Sequence, residues 1–326
     1  MNRRRFLGVT GAAAMAGGLL GASEAAEPPV PASAATWAPA PAEPARLKPM
    51  ALGLIVSPFG APEQVIGRVR ELGLSNCFLS LDGYLGGGLT AELAAQFKDL
   101  LARNNVVATT VEVVGPPPLV WNFKEGPATI GLVPAGTRAA RIDALRQASD
   151  FARMLGVEQV QTHCGFIPED PADPKYEPTV EAIRAVAQHC QGNGQYFLME
   201  TGQETPTTVS RAIHDVDMPN LAVGLDTANL ILYGKANPVD AADIIGKHVR
   251  SVHAKDGRWP TDPYLLGEEV LIGQGLVDFR AVFTRLHRLG YTGAITIERE
   301  TSGPQQIEDV RREKVYLEGI LREVMG

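Results

Sequence analysis

Four side chains that could bind a metal ion lie in the second half of the chain, each at the end of a short, mainly apolar run. They are Glu200, Asp226, His253 and Glu298. A single carboxylate after an apolar run usually caps a helix or meets solvent, but four in succession predict one shared site. Three carboxylates and one imidazole suit a hard divalent cation, with Mn²⁺ favoured and Mg²⁺, Co²⁺ or Zn²⁺ as alternatives.

A divalent ion at such a site would polarise a substrate carbonyl and the hydroxyl beside it. Its charge would also stabilise the enediolate that forms when a base removes the neighbouring proton. The ligand set therefore indicates proton transfer next to a carbonyl group.

Residues so far apart in the chain can meet only if the fold gathers the ends of several strands. The apolar runs alternate with helical stretches, which predicts a parallel sheet. The predicted strands are 52–56, 76–81, 106–113, 159–163, 196–200, 222–226, 251–255 and 294–298. The predicted helices are 62–72, 91–104, 138–155, 177–191, 206–216, 238–247, 279–289 and 305–324. Eight such units favour a single (β/α)8 TIM barrel over residues 49–326, in which the strand ends converge on one face. No Gly-rich dinucleotide motif follows the first strand, so an open Rossmann sheet is disfavoured.

Two connections, 115–137 and 257–277, are longer than ordinary loops and are predicted to lie on that same face. They contain the aromatic residues Trp121, Phe123, Trp259 and Tyr264. Aromatic side chains there would suit the apolar faces of sugar rings, and packing within a lid is the alternative.

Several motifs together carry a family resemblance. They are Glu200-Thr201-Gly202-Gln203-Glu204, Asp226-Thr227-Ala228-Asn229, His253-Ala254-Lys255-Asp256-Gly257, Gly273-Gln274-Gly275 with Asp278-Phe279, and Glu298-Arg299-Glu300. From about residue 49 to 325 the chain resembles the xylose-isomerase-like barrels known as sugar phosphate isomerases/epimerases, which include tagatose/psicose 3-epimerases and inosose dehydratases. The resemblance implies that Glu200, Asp226, His253 and Glu298 are Mn²⁺-type ligands. It also implies that Glu200 and Glu298 are catalytic and exchange the substrate proton from opposite faces.

One residue departs from the pattern of the sugar 3-epimerases. They have a histidine three residues after the aspartate ligand, where this chain has Asn229. An amide can bind a substrate hydroxyl but cannot exchange a proton as an imidazole does. The departure indicates a different substrate or reaction.

Further candidates for substrate binding follow from position in the predicted barrel. His163 ends the fourth strand and is predicted to bind a substrate hydroxyl, with a core histidine or one that supports a metal ligand as the alternative. Glu204 follows the fifth strand but is also placed to cap the next helix. Asp256 follows the His253 ligand and is predicted either to orient its imidazole or to bind substrate. Arg258 is predicted to reach a hydroxylated or anionic substrate, with a solvated loop arginine as the alternative.

The N-terminal segment predicts export. Arg3-Arg4-Arg5-Phe6-Leu7 precedes an uncharged Gly/Ala-rich run, so residues 1–26 resemble a twin-arginine signal peptide. Residues 27–48 are rich in Pro and Ala, which predicts a linker before the barrel. The expected location is the periplasm or the exterior, with no stable membrane insertion once the signal is removed.

Charge and composition exclude some classes of function. The chain is 45% hydrophobic and 21% charged, as expected of a globular protein with a large core. Removing residues 1–26, with three arginines and one glutamate, takes the formal charge from −7 to −9. An acidic protein is unsuited to binding nucleic acid, so the expected partner is a small carbohydrate, and a homo-oligomer is left open. Cys77, Cys164 and Cys190 have no metal-type spacing and predict no disulfide framework. Cys77 and Cys190 are predicted to be buried, and Cys164 is interpreted as a neighbour of His163 and not as a nucleophile.

Three functional hypotheses remain. The leading one is a divalent-metal-dependent isomerase or epimerase of a sugar or keto-sugar that acts through an enediolate. The second is a metal-dependent lyase or hydratase of 3-keto-glycosides or inososes, which shares the first proton abstraction. The third is a non-catalytic periplasmic sugar-binding protein.

Overall fold

The computed structural model describes residues 47–326. The predicted signal peptide, residues 1–26, and all but the last two residues of the predicted linker, 27–48, lie outside the described residues.

Eight parallel strands form a closed barrel, as the sequence predicts. They are Leu52–Val56 (β1), Asn76–Ser80 (β2), Val107–Glu112 (β3), Gln159–His163 (β4), Tyr196–Glu200 (β5), Leu221–Asp226 (β6), Val249–Ala254 (β7) and Ile295–Ile297 (β10). Neighbours in the chain are neighbours in the barrel, and β10 closes it by pairing with both β7 and β1. Strands β8 and β9, Asp256–Gly257 and Glu269–Val270, form a small antiparallel hairpin outside the barrel.

Helices surround the barrel on its outer side, as the connections between parallel strands require. They are Pro62–Glu71 (α1), Ala91–Asn104 (α2), Gly126–Thr129 (α3), Ala135–Leu155 (α4), Tyr176–Gly192 (α5), Pro206–Val216 (α6), Asn229–Leu232 (α7), Pro238–Ile245 (α8), Phe279–Arg288 (α9) and Pro304–Met325 (α10). The short helices α3 and α7 were not predicted from the sequence, and both lie in connections that follow barrel strands.

Side-chain caps fix several helix starts close to the predicted positions. The hydroxyl of Thr205 accepts a hydrogen bond from Thr208 N at the start of α6, and Asp278 accepts one from Ala281 N at the start of α9. The alternative that Glu204 caps α6 is therefore wrong, because Thr205 performs that role.

The hydrophobic core lies between the barrel and the helices. On β5, Phe197 and Met199 belong to the continuous core, while Leu198 and Glu200 alternate with them toward the barrel interior. Each fully buried apolar side chain of this size contributes about 1.5–3 kcal/mol to folding. The same alternation that builds the core therefore turns Glu200 inward. The three cysteines are buried and free, and for Cys77 and Cys190 this burial was predicted.

The two long connections cover the face of the barrel at which the strands end. Phe123 N, in the first connection, donates a 3.0 Å hydrogen bond to Tyr264 O in the second. Phe123 packs edge-on against Tyr233, and Trp121 against His163. Trp121, Trp259 and Tyr264 are also exposed. Within residues 47–326, no helix combines the length and hydrophobicity needed to cross a membrane.

Candidate metal centre

The four predicted ligands meet at the carboxyl ends of the strands. Glu200 and Asp226 end β5 and β6, His253 is the penultimate residue of β7, and Glu298 directly follows β10. One potential ligand atom from each lies within 4.8 Å of those from the other three. Strand pairing sets this arrangement, because Asp226 is opposite His253 and Glu298 N donates to Ala254 O.

The imidazole of His253 lies between two of the carboxylates. Its Nδ1 atom is 3.2 Å from Glu200 Oε1 and 2.8 Å from Glu298 Oε2. The ring packs edge-on against Phe78, with the two ring centroids 4.5 Å apart. The ring is therefore held with Nδ1 toward the carboxylates.

The carboxylate of Asp226 is fixed by the turn that follows β6. Its Oδ1 atom accepts hydrogen bonds of 2.8 Å from Ala228 N and Asn229 N. Thr201 adds hydrogen bonds to the backbone of the same residue. The second oxygen, Oδ2, is buried and has no hydrogen bond.

Glu200 is surrounded by polar side chains that hold both of its oxygens. Gln161 Nε2 donates a 3.0 Å hydrogen bond to Oε2, and His163 Nε2 is 3.3 Å from the same atom. Asn229 Nδ2 approaches Oε1 at 3.5 Å. Since Gln203 lies within hydrogen-bond distance of His163 Nδ1, the imidazole is itself positioned.

A buried lysine completes the cluster. Lys255 is 2% exposed, and its Nζ atom lies 3.2 Å from Glu298 Oε1 and 3.9 Å from Asp226 Oδ2. It also forms a hydrogen bond to Asn229 Oδ1 at 3.4 Å and an ion pair with Glu300. The ammonium group offsets part of the negative charge and holds one oxygen of Glu298.

Neighbouring charges and burial shift the pKa values of the carboxylates in the cluster in opposite directions. Burial alone would raise the pKa of Glu200, but the charges of His163 and His253 outweigh it and hold that pKa well below the usual range. In the same way, Lys255 and His253 overcome burial and lower the pKa of Glu298 to about 2. Burial raises the pKa of Asp226 well above its usual value despite Lys255, and Glu298 and Glu200 add to this effect.

The donor set fits a hard divalent cation. Asp226 Oδ2 has no hydrogen bond, and Glu298 Oε2 faces Nδ1 of His253 without hydrogen-bond geometry. Buried oxygens of this kind need an explanation, because an unpartnered polar atom is costly to bury. A cation among the four ligand atoms would account for both, and carboxylate oxygens with one imidazole suit Mn²⁺ or Mg²⁺.

The structure brings two of the five predicted substrate-binding residues to the cluster. His163 and Asn229 both approach Glu200, as described above. Arg258 instead pairs with Glu268 at 3.2 Å on the exposed hairpin and donates to Gln274 O.

The carboxylate of Asp256 binds backbone N–H groups of the connection that follows β7. Its two carboxylate oxygens accept hydrogen bonds of 2.8–3.1 Å from the N–H groups of Gly257, Gly273, Gly275 and Val277. A Cβ atom on Gly275 would lie 2.1 Å from Asp256 Oδ1, which explains why glycine stands there. The alternative that Asp256 orients the imidazole of His253 is therefore wrong, because its oxygens bind this loop.

Glu204 is fully buried, and both of its carboxylate oxygens have no hydrogen bond. Burial raises the pKa of Glu204 to about 8. Its role as a substrate-binding residue stays a prediction.

A second group of potential ligands shares Glu200. Glu112 at the end of β3 and His163 at the end of β4 place ligand atoms within 4.8 Å of it and of each other. Burial, followed by the charge of Glu200, raises the pKa of Glu112 well above the usual value. Glu112 thus belongs to the polar lining of the mouth.

Sequence reasoning did not select Gln161 or Lys255 for the site. Each lies two positions from a selected histidine, Gln161 before His163 and Lys255 after His253. Residues two apart on a strand share a face, so the period of two could have identified both.

Comparisons with known proteins agree with the barrel fold. A family model described as a xylose isomerase-like TIM barrel matches residues 67–321. A solved xylose isomerase domain protein from Planctomyces limnophilus is 30% identical, with a TM-score of 0.79 over 85% of this chain and 99% of that one. A D-psicose 3-epimerase solved with D-fructose has the same fold, at 17% identity and a TM-score of 0.62 over 83% of this chain and 99% of that one.

Among curated proteins, the chain is 28% identical to an inosose dehydratase of Geobacillus kaustophilus over 144 residues, which are 39% of this chain and 46% of the relative. The match to an uncharacterised protein of Methanocaldococcus jannaschii covers 58% of that relative. The chain thus spans about half the length of these curated relatives.

Proposed function

Because the chain belongs to the xylose isomerase-like TIM barrel family, we propose that it is a divalent-metal-dependent isomerase or epimerase. Its substrate is an uncharged sugar or keto-sugar, and it acts by removing a proton next to a carbonyl. The observation that carries the proposal is the convergence of Glu200, Asp226, His253 and Glu298 within 4.8 Å at the mouth of the barrel.

The four converging residues would hold the ion, with Mn²⁺ favoured and Mg²⁺, Co²⁺ or Zn²⁺ as alternatives. A bound divalent ion would supply Lewis-acid stabilisation of the charge that develops on the substrate oxygens. The oxygens of Asp226 and Glu298 that lack hydrogen bonds support this assignment.

Glu200 and Glu298 are the proposed catalytic bases. They come from β5 and from the residue after β10, which stand on either side of β6 and β7 in the barrel, and this supports a substrate site flanked by two carboxylates. One carboxylate removes the proton from the carbon beside the carbonyl, and the other returns a proton to the opposite face, which inverts that carbon. Lys255 keeps the Glu298 carboxylate ionised, since the pKa of Glu298 is held at about 2.

The acidic balance of the chain supports an uncharged substrate. With residues 1–26 removed, the formal charge is −9. A net negative charge disfavours the approach of a phosphate or carboxylate group.

A second candidate function is elimination by a lyase or hydratase of inososes or 3-keto-glycosides. It begins with the same proton abstraction, and then the C–O bond on the next carbon breaks and releases water or an aglycone. Two observations favour it: Asn229 replaces a proton-exchanging imidazole, and the Lys255 ammonium lies beside Glu298, where it could assist a leaving oxygen. The inosose dehydratase relative points the same way.

The test is to load purified protein with Mn²⁺ and follow D-psicose, scyllo-inosose and a 3-keto-glucoside in D₂O by NMR. Deuterium at an inverted carbon supports epimerisation, whereas release of water or aglycone supports elimination. We expect Glu298→Gln to lower turnover by about 10²- to 10⁴-fold, the usual contribution of a general base.

Glu268→Gln is the control, because Glu268 lies on the exposed hairpin and pairs with Arg258. Bound metal is measured in both variants so that loss of the ion is separated from loss of the base. Unchanged turnover in Glu298→Gln would contradict the assignment. Sugar binding without turnover of any of the three compounds would instead support the non-catalytic binding protein.

Export through the twin-arginine pathway to the periplasm or exterior is part of the proposal. It rests on the sequence of residues 1–26. Replacing Arg4 and Arg5 with lysine in the full chain should retain the protein in the cytoplasm, which cell fractionation measures.

A further inference from the structure

The side chain of Tyr233, which follows α7, is a buried polar group that the proposed metal site does not use. The residue is 4% exposed, and its hydroxyl has no partner in hydrogen-bond geometry, although the side chain of Gln203 lies next to it. Leaving a hydroxyl buried and unpartnered destabilises a fold. A phenylalanine would avoid that cost, so the hydroxyl calls for an explanation outside folding.

The ring of Tyr233 is held rigidly at the mouth. It packs edge-on against Phe166 and Phe123, with centroid distances of 5.8 and 6.3 Å, and these rings come from two different connections. On its other side lies Gly202, where a Cβ atom would come within 3.3 Å of the tyrosine ring and 3.0 Å of Asn229. Fixed packing of this kind pre-organises a binding group.

The side chain of Tyr233 lies beside the candidate metal centre. Its ring and Asn229 both flank Gly202, and Asn229 Nδ2 is 3.5 Å from Glu200 Oε1. The charges of Lys255, Glu200 and Glu300 act on the hydroxyl. Burial raises the pKa of Tyr233, so the phenol keeps its proton and can donate a hydrogen bond. A neutral phenol is a poor ligand for a hard cation, which leaves a ligand oxygen as its natural acceptor.

We propose that Tyr233 is a substrate-binding residue whose hydroxyl donates a hydrogen bond to an oxygen of a neutral, polyhydroxylated ligand held at Glu200 and Glu298. This inference rests on the proposed function, because it requires such a ligand at the mouth. The hydrogen bond from Tyr233 is a direct contact between protein and ligand that does not involve the metal ion. It would discriminate between ligands by the position of one oxygen.

The test compares wild type with Tyr233→Phe, both saturated with Mn²⁺. Binding of D-psicose and scyllo-inosose is titrated by calorimetry, and thermal unfolding is measured without sugar. We expect the variant to bind whichever probe wild type binds about tenfold more weakly, the effect of one lost hydrogen bond. Its melting temperature should be unchanged or higher, because the replaced hydroxyl has no partner in the fold.

Tyr291→Phe is the matched control. Tyr291 is also buried, but its hydroxyl donates a 2.6 Å hydrogen bond to Ala294 O just before β10, at the opposite end of the barrel from the mouth. This variant should lose thermal stability and bind sugar as wild type does. Comparison of the two variants therefore distinguishes a hydroxyl that binds ligand from a hydroxyl that stabilises the fold.

Equal sugar affinity in wild type and Tyr233→Phe would overturn the inference and leave the proposed function standing. A drop in melting temperature as large as that of Tyr291→Phe would also overturn it, because the hydroxyl would then serve folding. If Mn²⁺-loaded wild type binds neither probe, the proposed function and this inference fail together.

Discussion

Glu204 is a buried acid whose titration should be visible in the stability of the protein. Its pKa is raised by burial to about 8 from an ordinary value of 4.5. Between these two values the folded protein keeps a proton that the unfolded chain has lost. The contribution of protonated Glu204 to the stability of the fold is therefore complete below pH 4.5. It is lost as the pH rises toward 8, by about 1.4 kcal/mol for each pH unit in that window.

We predict that Glu204→Gln reduces the loss of folding stability with rising pH. The amide is uncharged at every pH, so the variant should be more stable than wild type at pH 8.5 and similar to it at pH 4.5. Urea unfolding across pH 4.5–8.5 measures the difference. Glu92→Gln, which changes an exposed carboxylate at the start of α2, should decline as wild type does. Parallel curves for wild type and Glu204→Gln would contradict the prediction.

At the residue scale, the sequence predicted the ligand candidates better than their surroundings. Glu200, Asp226 and Glu298 could be selected because, together with His253, they place potential ligands at the ends of four successive predicted strands. The ion pairs of Lys255 could not be predicted, since they form with carboxylates that come from other strands and from Glu300. The sequence could not identify Tyr233, because only the packed structure shows that its hydroxyl lacks a hydrogen-bond partner.

At the scale of elements, Arg141 on α4 shapes the first long connection. Its guanidinium is 1% exposed and donates hydrogen bonds to the carbonyl oxygens of Gly131, Pro116, Pro118 and Thr129. Because these carbonyls are drawn from both ends of the connection, one side chain fixes its course over the mouth. The planar fork of arginine suits several acceptors at once.

We predict that Arg141→Met destabilises the fold by about 3 kcal/mol or more, because several carbonyls in the connection lose their donor. Residues 115–134 should also become sensitive to proteolysis before global unfolding. Urea unfolding and limited proteolysis with mass spectrometry measure the two effects. Arg146→Met, on the same helix but exposed and paired only with Asp143, should change stability by no more than about 0.5 kcal/mol. An Arg141 variant that behaves like this control would contradict the role.

The elements themselves were largely predictable from local signals. Alternating apolar runs predicted all eight barrel strands, and residues such as Thr205 before Pro206 marked a helix start. The hairpin of β8 and β9 was not predicted, since its strands are two residues long and too short for any periodicity. Its course depends on four backbone N–H groups that converge on Asp256, which is a tertiary arrangement.

At the scale of the whole molecule, the candidate metal centre ties together β5, β6, β7 and the residue after β10. Like charges gathered at one face oppose folding, and a cation bound there would relieve this repulsion and stabilise the folded state by mass action. A ligand at a hundredfold excess over its Kd stabilises the native state by about 2.7 kcal/mol. For a domain of this size we expect Mn²⁺ to raise the melting temperature by roughly 5–10 °C relative to EDTA.

Asp226→Asn should abolish this rise while leaving the metal-free melting temperature equal or higher. The amide keeps an oxygen for Ala228 N and Asn229 N but removes a carboxyl group that is costly to charge, since burial raises the pKa of Asp226 well above its usual value. Because that carboxyl group must lose its proton to bind a cation, the rise in wild type should grow with pH. Glu112→Gln, which changes a buried acid at the end of β3, is the matched control and should keep the rise. A rise that survives in Asp226→Asn but disappears in Glu112→Gln would instead place the ion at Glu112, His163 and Glu200.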